Sequence, residues 1–151
     1  MRWLRIATCL IIAMMTLLCM PPTYAEVSAG WSTLVDDQAN LQLSDIRSPH
    51  YESQFSPVEL DQVRAISRDS ALWLHYRLPP TDHEQLVRIF APDLATVDMY
   101  VLKGESLIDH SRSGNKVPRA QQPLPSIDFL LPVPQSDTPL DLYLRLKSKQ
   151  E

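Results

Sequence analysis

The plainest pattern along the chain is strict alternation. Leu140, Leu142, Leu144 and Leu146 alternate with Asp141, Tyr143, Arg145 and Lys147, the period of a strand with one buried and one amphipathic face. Burying four leucines is worth roughly 1.5–3 kcal/mol each before entropy is subtracted, so this strand belongs in the interior of a sheet. Residues 71–78 repeat the pattern, with Leu72, Leu74, Tyr76 and Leu78 against Ala71, Trp73, His75 and Arg77. Further strands are predicted over 86–91, 95–103, 106–110 and 127–133, the last stopping at Pro132 to Pro134, with Pro79-Pro80, Pro92-Asp93, Gly104 and Gly114 marking turns. Leu41, Leu43 and Ile46 predict a first strand. Residues 47–68 read as irregular, with Val58, Leu60, Val63 and Ile66 near helical spacing between Pro57 and Ile66. Six or seven strands with proline and glycine turns and no long helix read as an all-β, antiparallel sandwich.

The first 25 residues stand outside this pattern. Arg2 and Arg5 precede an apolar run from Ile6 to Met20, Pro21-Pro22 breaks it, and Thr23-Tyr24-Ala25 offers small residues where a signal peptidase reads, so cleavage between Ala25 and Glu26 is expected. The run is too short for an uncleaved membrane anchor, and Leu18 before Cys19 argues against a lipoprotein. Residues 26–33 form a polar lead-in, 34–148 the sandwich and 149–151 a tail. Both cysteines, Cys9 and Cys19, fall within the apolar run, so the exported domain relies on its core and not on disulfides. Removing residues 1–25 deletes two arginines and no acid, taking the net charge from −4 to −6. No basic cluster with interleaved aromatics points to nucleic acid, and no basic amphipathic helix points to a membrane surface.

Catalytic motifs are not found: there is no nucleophile elbow, phosphate-binding glycine loop or zinc-binding HExxH. Asp82-His83-Glu84 reads as a solvated turn, and Asp36-Asp37 are strand neighbours that point to opposite faces. Neither a metal nor another cofactor is expected. The recognition candidates are the polar-side residues of the strands: Trp73, His75 and Arg77 on one, Asp98 and Tyr100 on another, Tyr143 and Arg145 on the last. Aromatic rings flanked by Arg and Asp suit a sugar or a small polar molecule, the ring stacking on an apolar face while charges fix hydroxyls or carboxylates. Packing in a core is the competing role for Trp73, and cross-strand pairing for Arg145.

The order of several short motifs resembles a known family. Leu34-Val35-Asp36-Asp37 before Leu41-Gln42-Leu43, then Phe55-Ser56-Pro57, Ala71-Leu72-Trp73-Leu74-His75-Tyr76, Val97-Asp98-Met99-Tyr100 with Gly104, Gly114 with Pro118-Arg119, and Leu142 to Ser148 are together similar to the type 2 periplasmic domain of bacterial seven-transmembrane receptors with diverse intracellular signalling modules. The resemblance runs from about Leu34 to Ser148. It implies a jelly-roll sandwich similar to carbohydrate-binding modules, not itself an enzyme, which senses a glycan or small polar metabolite and signals through seven helices to a diguanylate cyclase or histidine kinase. It adds Arg119, in the family's polar loop, to the candidate contacts. The chain holds neither the seven helices nor an output domain, so it is expected to be an N-terminal fragment whose link to the membrane lies downstream. Docking of a periplasmic partner or another receptor chain is the alternative role.

Overall fold

Three alternating segments far apart in sequence become neighbours at the centre of one sheet. In the computed structural model, which describes residues 30–60, 63, 67 and 69–148, β3 (Ala71–Leu78), β8 (Leu140–Ser148) and β5 (Leu94–Lys103) lie side by side, with β8 in the middle. Outside β3 lie β1 (Ser32–Asp36) and the two-residue β2 (Ser56–Pro57); outside β5 lies β6 (Ser106–Ser113), giving the order β2-β1-β3-β8-β5-β6 with antiparallel pairs throughout. A second, two-stranded sheet pairs β4 (Gln85–Ile89) with β7 (Phe129–Val133). The chain passes from the large sheet to the small one and back twice, through β4 and through β7, in a jelly-roll-like winding. The fold is thus an antiparallel β-sandwich. The leader, the cleavage point at Ala25 and Glu26, the tail 149–151 and Ile66, the end of the helical spacing read from Pro57, lie outside the described residues.

The leucine stripe of β8 faces the small sheet, as alternation requires. Leu142, Leu144 and Leu146 pack with Leu72 and Leu74 of β3, with Val97, Met99 and Val101 of β5, and with Phe129, Leu131 and Val133 of β7. Register fixes the layers: Leu144 lies opposite Leu74 on one side and Met99 on the other. A slip of one residue would turn every one of these side chains to the opposite face.

Four expectations need correction. The first strand is Ser32–Asp36, within and beyond what reads as a polar lead-in, and Leu41 to Ile46 does not form a strand. Leu43–Ile46 is a short helix, α1; the Asp45 carboxylate accepts from the Gln42 amide at 2.8 Å and holds its first turn. A second short helix, α2 (Pro49–Glu52), begins at a proline, whose missing amide is unneeded at a helix start. β6 continues through His110 to Ser113, so the expected loop at 111–115 is shorter. β7 runs through Pro132, opposite Leu86, which a two-stranded sheet tolerates because a proline there need not donate to a second neighbour.

Gly114 ends β6 at φ +123°, and a Cβ there would lie 2.4 Å from the Ala95 carbonyl oxygen. Only glycine allows this approach. It lets Asn115 and Lys116 donate to the carbonyls of Leu94 and Ala95 at 3.1 and 2.9 Å, beside the irregularity between Leu94 and Thr96.

Candidate functional site

The other face of the large sheet, called the outer face, carries the polar half of each alternation. Register builds it into rungs. His75 of β3 lies opposite Tyr143 of β8, Tyr143 opposite Tyr100 of β5, and Tyr100 opposite His110 of β6, so four rings line up across four strands. His75 and Tyr143 stack with centroids 4.5 Å apart, and Tyr100 and His110 stack at 4.4 Å with planes 5° from parallel. The next rung is Trp73, Arg145, Asp98 and Arg112. There the Arg145 guanidinium carbon sits 5.7 Å from the Trp73 ring centroid, a cation–π distance.

Carboxylates hold both ends of the ring row. Asp98, 2% exposed, accepts from Arg112 Nε at 2.5 Å and pairs with His110 Nε2 at 3.2 Å. At the other end His75 Nε2 is 3.1 Å from Asp141 Oδ1, and Arg77 lies 3.9 Å from the second Asp141 oxygen. The bond from His75, supported by the Arg77 charge, lowers the Asp141 pKa against the opposing effect of burial. Burial pushes the Tyr143 phenol up to about 12, with the Asp141 charge adding to it. Burial and then Asp98 raise that of Tyr100. The bond to Asp98 raises the Arg112 pKa. Both tyrosines are therefore neutral donors over the physiological range.

Half of this face is roofed by the chain itself. Residues 41–55 cross it, and Leu41, Leu43, Ile46, Tyr51 and Phe55 pack on Leu34, Trp73, Leu102 and Tyr143. Phe55 meets His75 and Tyr143 edge-on at 5.9 and 6.2 Å. The roof is fastened where it starts: both Asp36 oxygens accept backbone amides, from Asn40 at 3.2 Å and Leu41 at 2.9 Å, and Arg145 donates to the Ala39 carbonyl at 2.6 Å. Ala39 has φ +51°, a left-handed conformation that costs a non-glycine residue about 1 kcal/mol and that these bonds hold. Farther on, Arg47 pairs with Glu105 in the β5–β6 turn.

Seven of the eight candidate contacts thus share one face, but not one environment. Trp73 is 0% exposed and Tyr143 6%, so neither offers surface beneath the roof; Trp73 stacks on Tyr100 at 6.0 Å as a core residue would. His75, Tyr100 and Arg145 are half-buried and Arg77 is exposed. Arg119 stands apart, exposed in a 3-10 turn (Arg119–Gln121). Sequence reading missed His110 and Arg112. Carrying β6 two residues farther would have included Arg112, but the places of both beside Tyr100 and Asp98 depend on the register shift between Val101 and Leu102.

A second concavity, an open cleft of about 820 Å³, lies where turns 79–84 and 134–139 meet the β5–β6 hairpin. Its charged groups are already paired: Lys103 with Asp137 at 2.8 Å and His83 with Asp82 at 2.7 Å. Among the described residues no three His, Cys, Asp or Glu side chains are grouped to hold a metal.

The fold is a β-sandwich whose ring-and-charge face is partly exposed. A model of the family described as 7TMR-DISM extracellular 2 matches residues 28–151, and the chain belongs to that family. No curated protein matches it as a relative. Membership makes it a periplasmic sensor domain of a membrane-anchored, seven-transmembrane receptor. Among the described residues no helix is long and apolar enough to cross a membrane.

Proposed function

We propose that this domain senses a carbohydrate or small polar metabolite at the uncovered margin of the outer face, and that the full receptor passes the signal to a diguanylate cyclase or histidine kinase. The observation that carries the reading is the four-ring row ending at an open edge, with Tyr100 and His110 stacked beside the Arg112–Asp98 pair. Rings present apolar faces to the C–H face of a sugar, and charged groups alongside fix its hydroxyls. A ligand that binds only the folded state must raise its melting temperature. A panel of glycans and polar metabolites is therefore expected to contain one that stabilises the chain, with the shift lost in His110→Ala and Tyr100→Ala. A shift that persists undiminished in both variants places the site elsewhere. In the full receptor the same variants should abolish ligand-dependent cyclic dinucleotide synthesis or phosphotransfer.

A second reading, docking to another receptor chain or periplasmic partner, has its own observation. Phe90 (77% exposed) and Ile127 (90%), with Leu86, lie on or beside the outward side of the small sheet, an apolar surface of the kind used in association. Phe90→Glu should abolish any self-association seen by light scattering without affecting ligand stabilisation.

A further inference from the structure

The strands of the outer face withdraw their acids and present their cations. Asp36 is 3% exposed and Asp98 2%, and the Asp141 side chain is 20% exposed. Asp36 is occupied by the amides of Asn40 and Leu41, Asp98 by Arg112 and His110, and Asp141 by His75 and Arg77. By contrast the Arg112 side chain is 56% exposed and that of Arg77 50%. Lys147, half-buried, follows Arg145 on the same side of β8. This happens in a chain whose net charge is −4, so the positive margin runs against the whole molecule.

Arg77 stands apart beside Asp141, whereas Arg112, Arg145 and Lys147 lie on neighbouring rungs. Arg112 lies opposite Asp98, Asp98 opposite Arg145, and Lys147 is opposite Thr96 in the neighbouring position of β5. Arg112 and Arg145 are separated by two strand spacings, about 10 Å, with a single buried carboxylate between them. Arg112 uses Nε for Asp98, which leaves its two terminal nitrogens as a fork suited to a second carboxylate. Under the roof, Arg145 Nε and Trp73 Nε1 are buried donors with no acceptor among the described residues. The ring pair Tyr100–His110 adjoins this group along β5 and β6.

We infer that the ligand of this margin is an acidic saccharide, its sugar ring against His110 at the exposed end of the ring row and its carboxylate on Arg112 and Lys147. The inference rests on the outer-face reading above and narrows its ligand class. It accounts together for the exposed fork and for the sign of the charge, neither of which a neutral sugar requires.

The test compares oligogalacturonate with the neutral galacto-oligosaccharide of equal length by titration calorimetry on the chain at low and high salt. Oligogalacturonate should bind at least tenfold tighter than the neutral sugar and weaken as salt rises, because exposed charges are screened. Lys147→Gln and Arg112→Lys should each weaken it at least fivefold, the second because lysine keeps the charge and loses the fork. Lys147→Gln removes no partner of a buried acid, so it remains informative should changes at Arg112 disturb folding. Binding of the neutral sugar as tightly as the acid, with loss in His110→Ala, overturns the acidic class and leaves the outer-face site standing. Acid binding unchanged in Lys147→Gln and Arg112→Lys overturns the placement, and failure of both sugars to bind overturns the inference and the saccharide reading together.

Discussion

The two faces of β3, β8 and β5 are made by the same residues read alternately, yet they are held by different physics. The inner face is chiefly Leu, Val and Met closed by the small sheet; it gains from area and is largely indifferent to direction. The outer face is half roofed by residues 41–55, and there rings, guanidinium groups and carboxylates interlock at fixed angles and distances. Nondirectional burial serves stability, whereas directional groups serve recognition and lose most when a partner is removed. The roof divides the outer face again, making a second core of its β1–β3–β8 side with Leu102 of β5, and leaving His110 and Arg112 of β6 exposed.

The largest expected effects test whether the roofed part is a core. Leu144→Ala, at 1% exposure between Leu74 and Met99, should cost about 2–5 kcal/mol and Trp73→Ala about 3–5 kcal/mol in urea denaturation, since each opens a cavity in a packed interior. A Trp73→Ala cost below about 1 kcal/mol, the size of an ordinary surface substitution, would show the roof to be loosely laid and the comparison between faces to be drawn too sharply.

A smaller effect is expected at the edge that carries the open margin. Gly114→Ala puts a Cβ against the backbone of Ala95 at a φ that L-residues rarely adopt, and strain of that kind costs about 1–3 kcal/mol. Gly104→Ala provides the control, because its Cβ meets nothing within 4 Å and only the positive φ opposes it. Gly114→Ala should therefore lower the urea midpoint more than Gly104→Ala. Equal losses would mean that the close approach of residue 114 to β5 is not what seats β6.

Legibility in the sequence followed the same division. The inner face could be read directly, because four or five alternating aliphatic positions leave one register, and β3, β5 and β8 lie where the alternation puts them. β1 escaped because Ser32–Asp36 offers only Leu34 and Val35 as apolar residues and its pairing with β3 is settled by contacts 40 residues away. Leu41, Leu43 and Ile46 fit a short strand as well as a helix, since Leu43 and Ile46 are three apart. The Asp36 carboxylate and the Gln42–Asp45 bond decide between them, and the first depends on where β1 lies. Which side of the outer face would be roofed was not legible for the same reason: local pattern marks a side chain as polar-facing and says nothing of what crosses above it. Asp98, His110 and Arg112 meet across a hairpin whose register shifts between Val101 and Leu102, an offset that alternation alone does not reveal.

The smallest effect near neutral pH, and the cleanest separation of the faces, lies in the shape of the stability curve. Asp141 has its pKa lowered by His75 and Arg77, so its contribution is complete above the ordinary carboxylate range, about pH 4, and is lost as pH falls through its lower folded value. Tyr143 is displaced the other way, to about 12, chiefly by burial. Its contribution is complete below the unfolded phenol value of about 10 and is lost as pH rises from there toward about 12. Urea midpoints measured against pH should then show a plateau with an acid limb weakened by Asp141→Asn and an alkaline limb weakened by Tyr143→Phe. Leu144→Ala should lower the whole curve and leave its shape unchanged, because neither leucine nor alanine binds a proton in either state. An alkaline limb of full size in Tyr143→Phe would assign that loss to other groups and remove the titrating row from the account of how the outer face is held.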